Sequence, residues 1–232
     1  MVKRFYTSAA VEPAAEGFTV VLDGRPARTP GGAAVKLSKQ ALAQAVAGEW
    51  AAQTDTVDPR TMPLAGLSNA ILDLGDSGRR AMVDDALAYA GADLLCYRAA
   101  EPPDLVARQA RNWQPLLDWA AETHGAGLLV TQGIVPVTQP AAALSALKRA
   151  IKALDDPGLV AVSAIAGATG SLVIALALVS GRIDAGEAWA AAEVDETFQR
   201  ERWGEDAEDR SRRERIKSDI EAAHRFAALA RD

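Results

Sequence analysis

The stretch from Leu159 to Val179 (LVAVSAIAGATGSLVIALALV) runs without a single charge. A run of that length either crosses a bilayer or sits at the centre of a folded domain. Its own middle argues for the second. Gly167, Thr169, Gly170 and Ser171 interrupt it, and Thr169 or Ser171 can cap a second helix that begins near Gly170. No aromatic residue flanks the run as a membrane belt would. The reading is therefore a buried pair of helices around which the remainder packs, with no membrane insertion. The rest of the chain supports a globular fold: 49% hydrophobic and 24% charged residues exclude a disordered polymer.

The first third reads as strands and turns. Phe18 to Leu22 (FTVVL) is a β-branched strand, and Asp23-Gly24 after it signals a hairpin because Gly24 accepts positive φ. Arg25 to Arg28 is the returning strand, at an edge because Pro26 donates no ladder bond. Ala34 to Leu37 gives another strand. Ser38 is the expected N-cap of a helix through Gln53, with Leu42, Val46 and Trp50 on its buried face. Trp50 is accordingly assigned a structural role: its replacement should unfold the N-terminal part. Two further helices, Leu64 to Leu74 and Arg79 to Tyr89, are separated by Gly75-Asp76-Ser77-Gly78. Asp93 to Arg98 (DLLCYR) fits a strand or a buried turn.

Beyond Pro103 the pattern is helical. Asp104, as N-cap, opens a helix to His124 that carries Trp113 and a structural Trp119. Gly125 to Thr138 is irregular, with Leu128 to Val130 and Ile134 to Val137 expected inside. A helix from Pro140 to Leu154 precedes the uncharged pair. One long helix capped by Asp184 should reach Trp203, and a last charged helix follows Gly204. The fold class is α+β: a small N-terminal α/β domain of antiparallel strands with helices, residues 1 to 95, then an all-helical C-terminal domain, 96 to 232.

Catalytic signatures are missing from the sequence. It has no phosphate-binding Gly-Lys-Ser/Thr loop, no dinucleotide fingerprint and no Gly-x-Ser-x-Gly elbow. Cys96 is the single cysteine, and His124 and His224 belong to no ligand motif, so neither a disulfide nor a metal site is expected. No cofactor is expected. Gly167 to Ser171 could meet a small anion at a helix start, but close packing at a helix break explains it as well. A net charge of −6 and an isoelectric point near 5.1 argue against nucleic acid.

That charge is concentrated. Between Asp184 and Arg210 ten acids face three bases, a net −7, whereas residues 1 to 90 hold ten acids and nine bases. Asp195, Glu196, Glu205 and Asp206 interleave there with Trp189, Phe198 and Trp203. Trp189 and Phe198 lie nine residues apart, about 180° out of phase on one helix, so one of them serves a second contact. The Arg212, Arg213, Arg215 and Lys217 cluster sits among acids and suits pairing along its own helix.

Eight stretches, in order, carry a resemblance. They are RFY at Arg4 to Tyr6, LDGRPARTP at Leu22 to Pro30, EWAAQ at Glu49 to Gln53 and MPLAGLSNAILD at Met62 to Asp73. DLLCYR at Asp93 to Arg98, QPLLDW at Gln114 to Trp119, TGSLVIALAL at Thr169 to Leu178 and VDETFQRERWGED at Val194 to Asp206 complete them. Together they resemble the assembly chaperones of the F-type ATP synthase that act on its alpha subunit. The resemblance implies a protein that is not an enzyme. It would bind the newly made alpha subunit and prevent its aggregation until a beta subunit replaces it. It implies a small α/β domain followed by a helical one, and a role in partner binding for Glu196 first, then Asp195, Phe198, Trp203, Glu205 and Asp206. Mitochondrial relatives carry a presequence; none is evident here, so a bacterial cytoplasm is expected, and the chain is expected to be a monomer. The alternative is a cofactor-free hydrolase or transferase using Asp195 and Glu196 as acid and base.

Overall fold

The computed structural model describes residues 2 to 133 and 135 to 231. By internal contact the chain groups into two compact units. The first runs up to Arg79 and takes in the stretch from Arg225; the second is Arg80–His224. The grouping thus divides inside a helix, whereas the sequence places a boundary at residue 95. Local bonding accounts for the difference: Leu94 N–H donates to the Gly170 carbonyl, and the Asp93 carboxylate accepts from Val173 N–H, so 93 to 98 belong with the helices that follow.

In the first unit β2 (Ala9–Pro13), β3 (Phe18–Leu22), β4 (Arg25–Pro26) and β5 (Lys36–Leu37) form an antiparallel sheet. β3 is central, which is why FTVVL lacks the alternation of a half-exposed strand: Thr19 to Leu22 are all buried. A second, two-stranded sheet pairs β1 (Val2–Lys3) with β6 (Thr56–Val57). Helix α1 (Gln40–Ala51) packs on β2 and β3, with α2 (Pro63–Leu72) beside it. α1 starts two residues beyond Ser38, and its cap position, Lys39, has no side-chain cap bond. Leu42 and Val46 are buried as expected, but Trp50 is only half-buried. It lies in the last turn of α1, edge-on to the Tyr6 ring at 5.6 Å.

Several residues of the recognised stretches hold this unit together. Glu49 caps α2 from a distance, accepting from Leu64 and Ala65 N–H at 2.9 and 2.8 Å. Gln53 bonds Thr61 and Asp58, and Asp73 accepts from Thr29 Oγ1 and Gly31 N–H. Asp23 and Gly24 both have positive φ, 48° and 73°, which makes the tight turn between β3 and β4. Asp23 tolerates this because its carboxylate accepts from Thr7 and Ser8 N–H. A Cβ at Gly24 would meet no atom, so the turn's φ alone restricts this position. Gly24→Ala should therefore cost about 1–2 kcal/mol, read as a lower denaturation midpoint with unchanged slope.

Helix α3 (Gly75–Gly91) begins in the first unit and runs into the second. The Gly75-to-Gly78 separator is in fact its first turn; Asp76 there suits the positive end of the helix. In the second unit follow β7 (Tyr97–Arg98), α4 (Pro103–His124), β8 (Thr131–Gln132), α5 (Ala141–Lys152), α6 (Asp156–Thr169), α7 (Leu172–Val179), α8 (Ala185–Ala192), α9 (Val194–Trp203) and α10 (Ala207–Arg231). DLLCYR is both of the forms expected: one turn of 3-10 helix, Leu94–Cys96, then β7, which pairs in parallel with β8.

The uncharged run is the core of this unit. Every residue of α7 is buried, and α6 packs along it. Gly170, at φ 70°, ends α6, and the Ser171 hydroxyl accepts from Ile174 N–H to start α7. The α7 N-terminus does meet an anion, but the protein's own. Asp93 is fully buried and accepts from Val173 and Leu95 N–H, both at 3.1 Å, and from Ser171 and Leu172. Among the described residues no helix is long and apolar enough to cross a membrane.

Other expectations need correcting. Asp104 lies in the first turn of α4 rather than at its cap, and it binds Arg202 instead. Trp119 is half-buried, edge-on to His124 at 5.1 Å; Trp113 is the deeply buried one, its indole N–H donating to the Ala191 carbonyl at 2.7 Å. The apolar connection is only partly inside: Leu129, Val130 and Val135 are exposed, Leu128 and Val137 are half-buried, and Ile134 lies outside the described residues. The buried Gln139 side chain holds Leu129 by both its N–H and carbonyl, which fixes the backbone and leaves the side chains outward.

Candidate functional site

The expected long helix from Asp184 to Trp203 is two helices. α8 opens with a capping box between Asp184 and Glu187, but at Glu193 the backbone leaves helical geometry (φ −104°, ψ 18°) and α9 begins anew. The phase relation between Trp189 and Phe198 therefore does not hold. Phe198 is buried under the guanidinium of Arg202 at 4.1 Å and that of Arg108 at 5.5 Å. Trp189 lies beneath Arg213 at 5.4 Å.

Most acids of the segment are engaged within the unit. Asp195 accepts from Gln109 Nε2 at 2.7 Å, and Glu201 receives both Arg108 nitrogens at 3.0 and 2.8 Å. The buried Glu193 pairs with Arg213 Nε; Glu205 takes Arg213 Nη1 at 2.6 Å and Arg210 Nε at 3.0 Å. Asp206 accepts from Asp209 N–H in the first turn of α10. Arg213 thus spans from α10 back to Glu193 and Glu205, not along its own helix; Arg212–Asp209 and Lys217–Glu221 follow the expected local spacing, at 3.8 and 3.9 Å.

Glu196 differs. It is half-buried, and among the described residues it has no ion pair; its own backbone N–H is its hydrogen-bond donor. Burial lifts its carboxyl above the ordinary glutamate range, and the charges of Glu193 and Asp195 add to that lift, against the pull of Arg212. It opens onto a depression of about 320 Å³ bordered by Gln199, Arg200, Trp203 and Arg212. Trp203 on this rim is 76% exposed. Arg200 donates to Thr197, and its buried Nη1, 3.9 Å from Glu205 Oε1, has no hydrogen-bond acceptor among the described residues. The depression collects Glu196, Trp203 and Glu205 from the sequence-derived set. It leaves Phe198 in the core and Asp195 bonded to α4. Gln199, Arg200 and Arg212 were missed, because bases scattered through an acidic segment read as its neutralising pairs.

A large exposed aromatic beside a half-buried carboxylate has the composition of interaction hot spots, in which an aromatic anchors and a charge orients. Residues 3–121 match the model of the ATP12 chaperone protein family. Atp12 of Paracoccus denitrificans is 38% identical, with a TM-score of 0.88 over 99% of this chain and 98% of that one. The Atu1473 protein of Agrobacterium tumefaciens is also 38% identical, with a TM-score of 0.90 over 97% and 85%. The chain belongs to the ATP12 family, whose members are chaperones of ATP synthase assembly and not enzymes. That sets aside the hydrolase or transferase alternative.

Proposed function

We propose that the chain captures the unassembled alpha subunit of the F-type ATP synthase on the α9–α10 surface and holds it until the beta subunit replaces it. The observation that carries this reading is Glu196: an acid that, among the described residues, makes no ion pair, in a segment where its neighbours are paired or capping. A half-buried carboxylate gains when a partner's Lys or Arg arrives, because desolvation is then offset by a charge-assisted bond. Trp203 supplies an exposed apolar anchor beside it. An alpha subunit awaiting its neighbours displays apolar surface rimmed by charge, which such a pair matches. Asp195, Phe198, Glu205 and Asp206 act by shaping this surface: each is bonded or buried within the unit.

The test is co-purification with separately expressed alpha and beta subunits. Selective retention of free alpha is the expected result. Retention of neither, or of beta alone, refutes the reading.

A further inference from the structure

The first unit carries a second depression, of about 610 Å³, lined by Phe5, Tyr6, Leu22, Pro26, Ala27 and Trp50. Three aromatic rings step along it: Phe5 stands edge-on to Tyr6 at 5.3 Å, and Tyr6 edge-on to Trp50 at 5.6 Å. Phe5 is 69% exposed. The ladder is fixed from behind, since the Tyr6 hydroxyl donates to the Trp50 carbonyl at 2.7 Å and Arg4 lies over the Tyr6 ring. An exposed phenylalanine edge-on to a fixed tyrosine at the mouth of an apolar depression is costly to keep in water and suits an apolar anchor from elsewhere.

The rim has a sign. Arg25 and Arg28 stand on it, both exposed. Asp23 is the acid beside them, and its carboxylate is taken by Thr7 and Ser8. Arg28 gives one nitrogen to the Gly32 carbonyl, and among the described residues neither arginine has an ion pair. β4, the strand that carries Arg25, holds Pro26 at the sheet edge, so the visitor is not an added strand but side chains seated from above.

We propose that this depression docks an acidic polypeptide segment bearing an aromatic or large aliphatic anchor. The anchor sits against Phe5 and Trp50, and the flanking carboxylates meet Arg25 and Arg28. Its charge preference is opposite to that of the Glu196 surface, so the two can hold different parts of a client, or different clients.

The probe is a fluorescent, end-blocked pentapeptide of four glutamates around a central phenylalanine, titrated into the full chain. Companion peptides carry lysines in place of the glutamates, or serine at the centre. The glutamate–phenylalanine peptide should bind tightest, shift the Trp50 indole N–H resonance and weaken with added salt. Arg25→Glu, an exposed change checked by circular dichroism, should weaken it about tenfold, and Phe5→Ala several-fold. Glu196→Lys should leave peptide binding intact, which separates this site from alpha-subunit capture. Equal binding of the lysine or serine peptide, or an unchanged affinity in Arg25→Glu, overturns the proposal.

Discussion

Asp93→Ala is expected to destabilise the second unit by about 3–5 kcal/mol, enough to leave a domain of this size partly unfolded at room temperature. The carboxylate is the acceptor for Leu95, Leu172 and Val173 N–H and for the Ser171 hydroxyl, all in the interior. Removing it orphans several buried donors at once, the first two N–H groups of α7 among them, and leaves Ser171 as that helix's remaining cap. Asp93→Asn keeps one acceptor oxygen and should lose less. It also separates bonding from charge. Burial lifts the Asp93 carboxyl to about 6, against hydrogen bonds that pull it down, from an ordinary value of 3.8. The folded chain therefore holds the proton more tightly than the unfolded one. The resulting stabilisation is full below about pH 4 and is lost as pH rises through about 6, amounting to about 3 kcal/mol. Urea titrations between pH 4 and 7 should show this slope in the parent and not in Asp93→Asn. Identical slopes in both would contradict the assignment.

Glu196→Lys should reduce capture of the alpha subunit at least about a hundredfold with the fold intact. The substitution puts a cation where the surface is arranged to receive one, beside Arg200 and Arg212. Glu196→Gln should weaken capture less, since it removes attraction without adding repulsion. Capture has a pH signature too. A partner's cation binds the ionised carboxylate, whose pKa burial has raised, so affinity should fall on acidification at a higher pH than an ordinary glutamate allows. Glu196→Gln should abolish that inflection. Pull-downs against a pH series settle both points, and full capture by a folded Glu196→Lys would show that the client docks elsewhere.

The reach of the sequence is uneven for physical reasons. Turns and breaks that rest on φ were readable, the hairpin at Asp23-Gly24 and the helix end at Gly170, because few residues adopt positive φ. The Asp184 cap was readable because an aspartate side chain can accept from the unpaired N–H groups of a helix's first turn. The break at Glu193 was not: nothing in AAEVDE forbids helix, and the kink is held by Arg213, twenty residues on. Glu196 stood out by family resemblance, but its lack of a partner emerges only once Asp195 is seen on Gln109 and Glu193 on Arg213. Leu129, Val130 and Val135 misled because hydrophobicity predicts burial only where the backbone lets the side chain turn inward. The depression at Phe5 and Trp50 was invisible, being assembled from the segment after β1, a hairpin and the end of a helix.

The stretch from Arg225 belongs to the first unit, where Lys39 donates to the Arg231 carbonyl. The first unit is therefore completed by residues that come after the whole of the second unit in sequence. Its stability is tied to contacts of high sequence separation, and removing the residues from Arg225 onward should make the first unit more protease-sensitive while the second keeps its resistance.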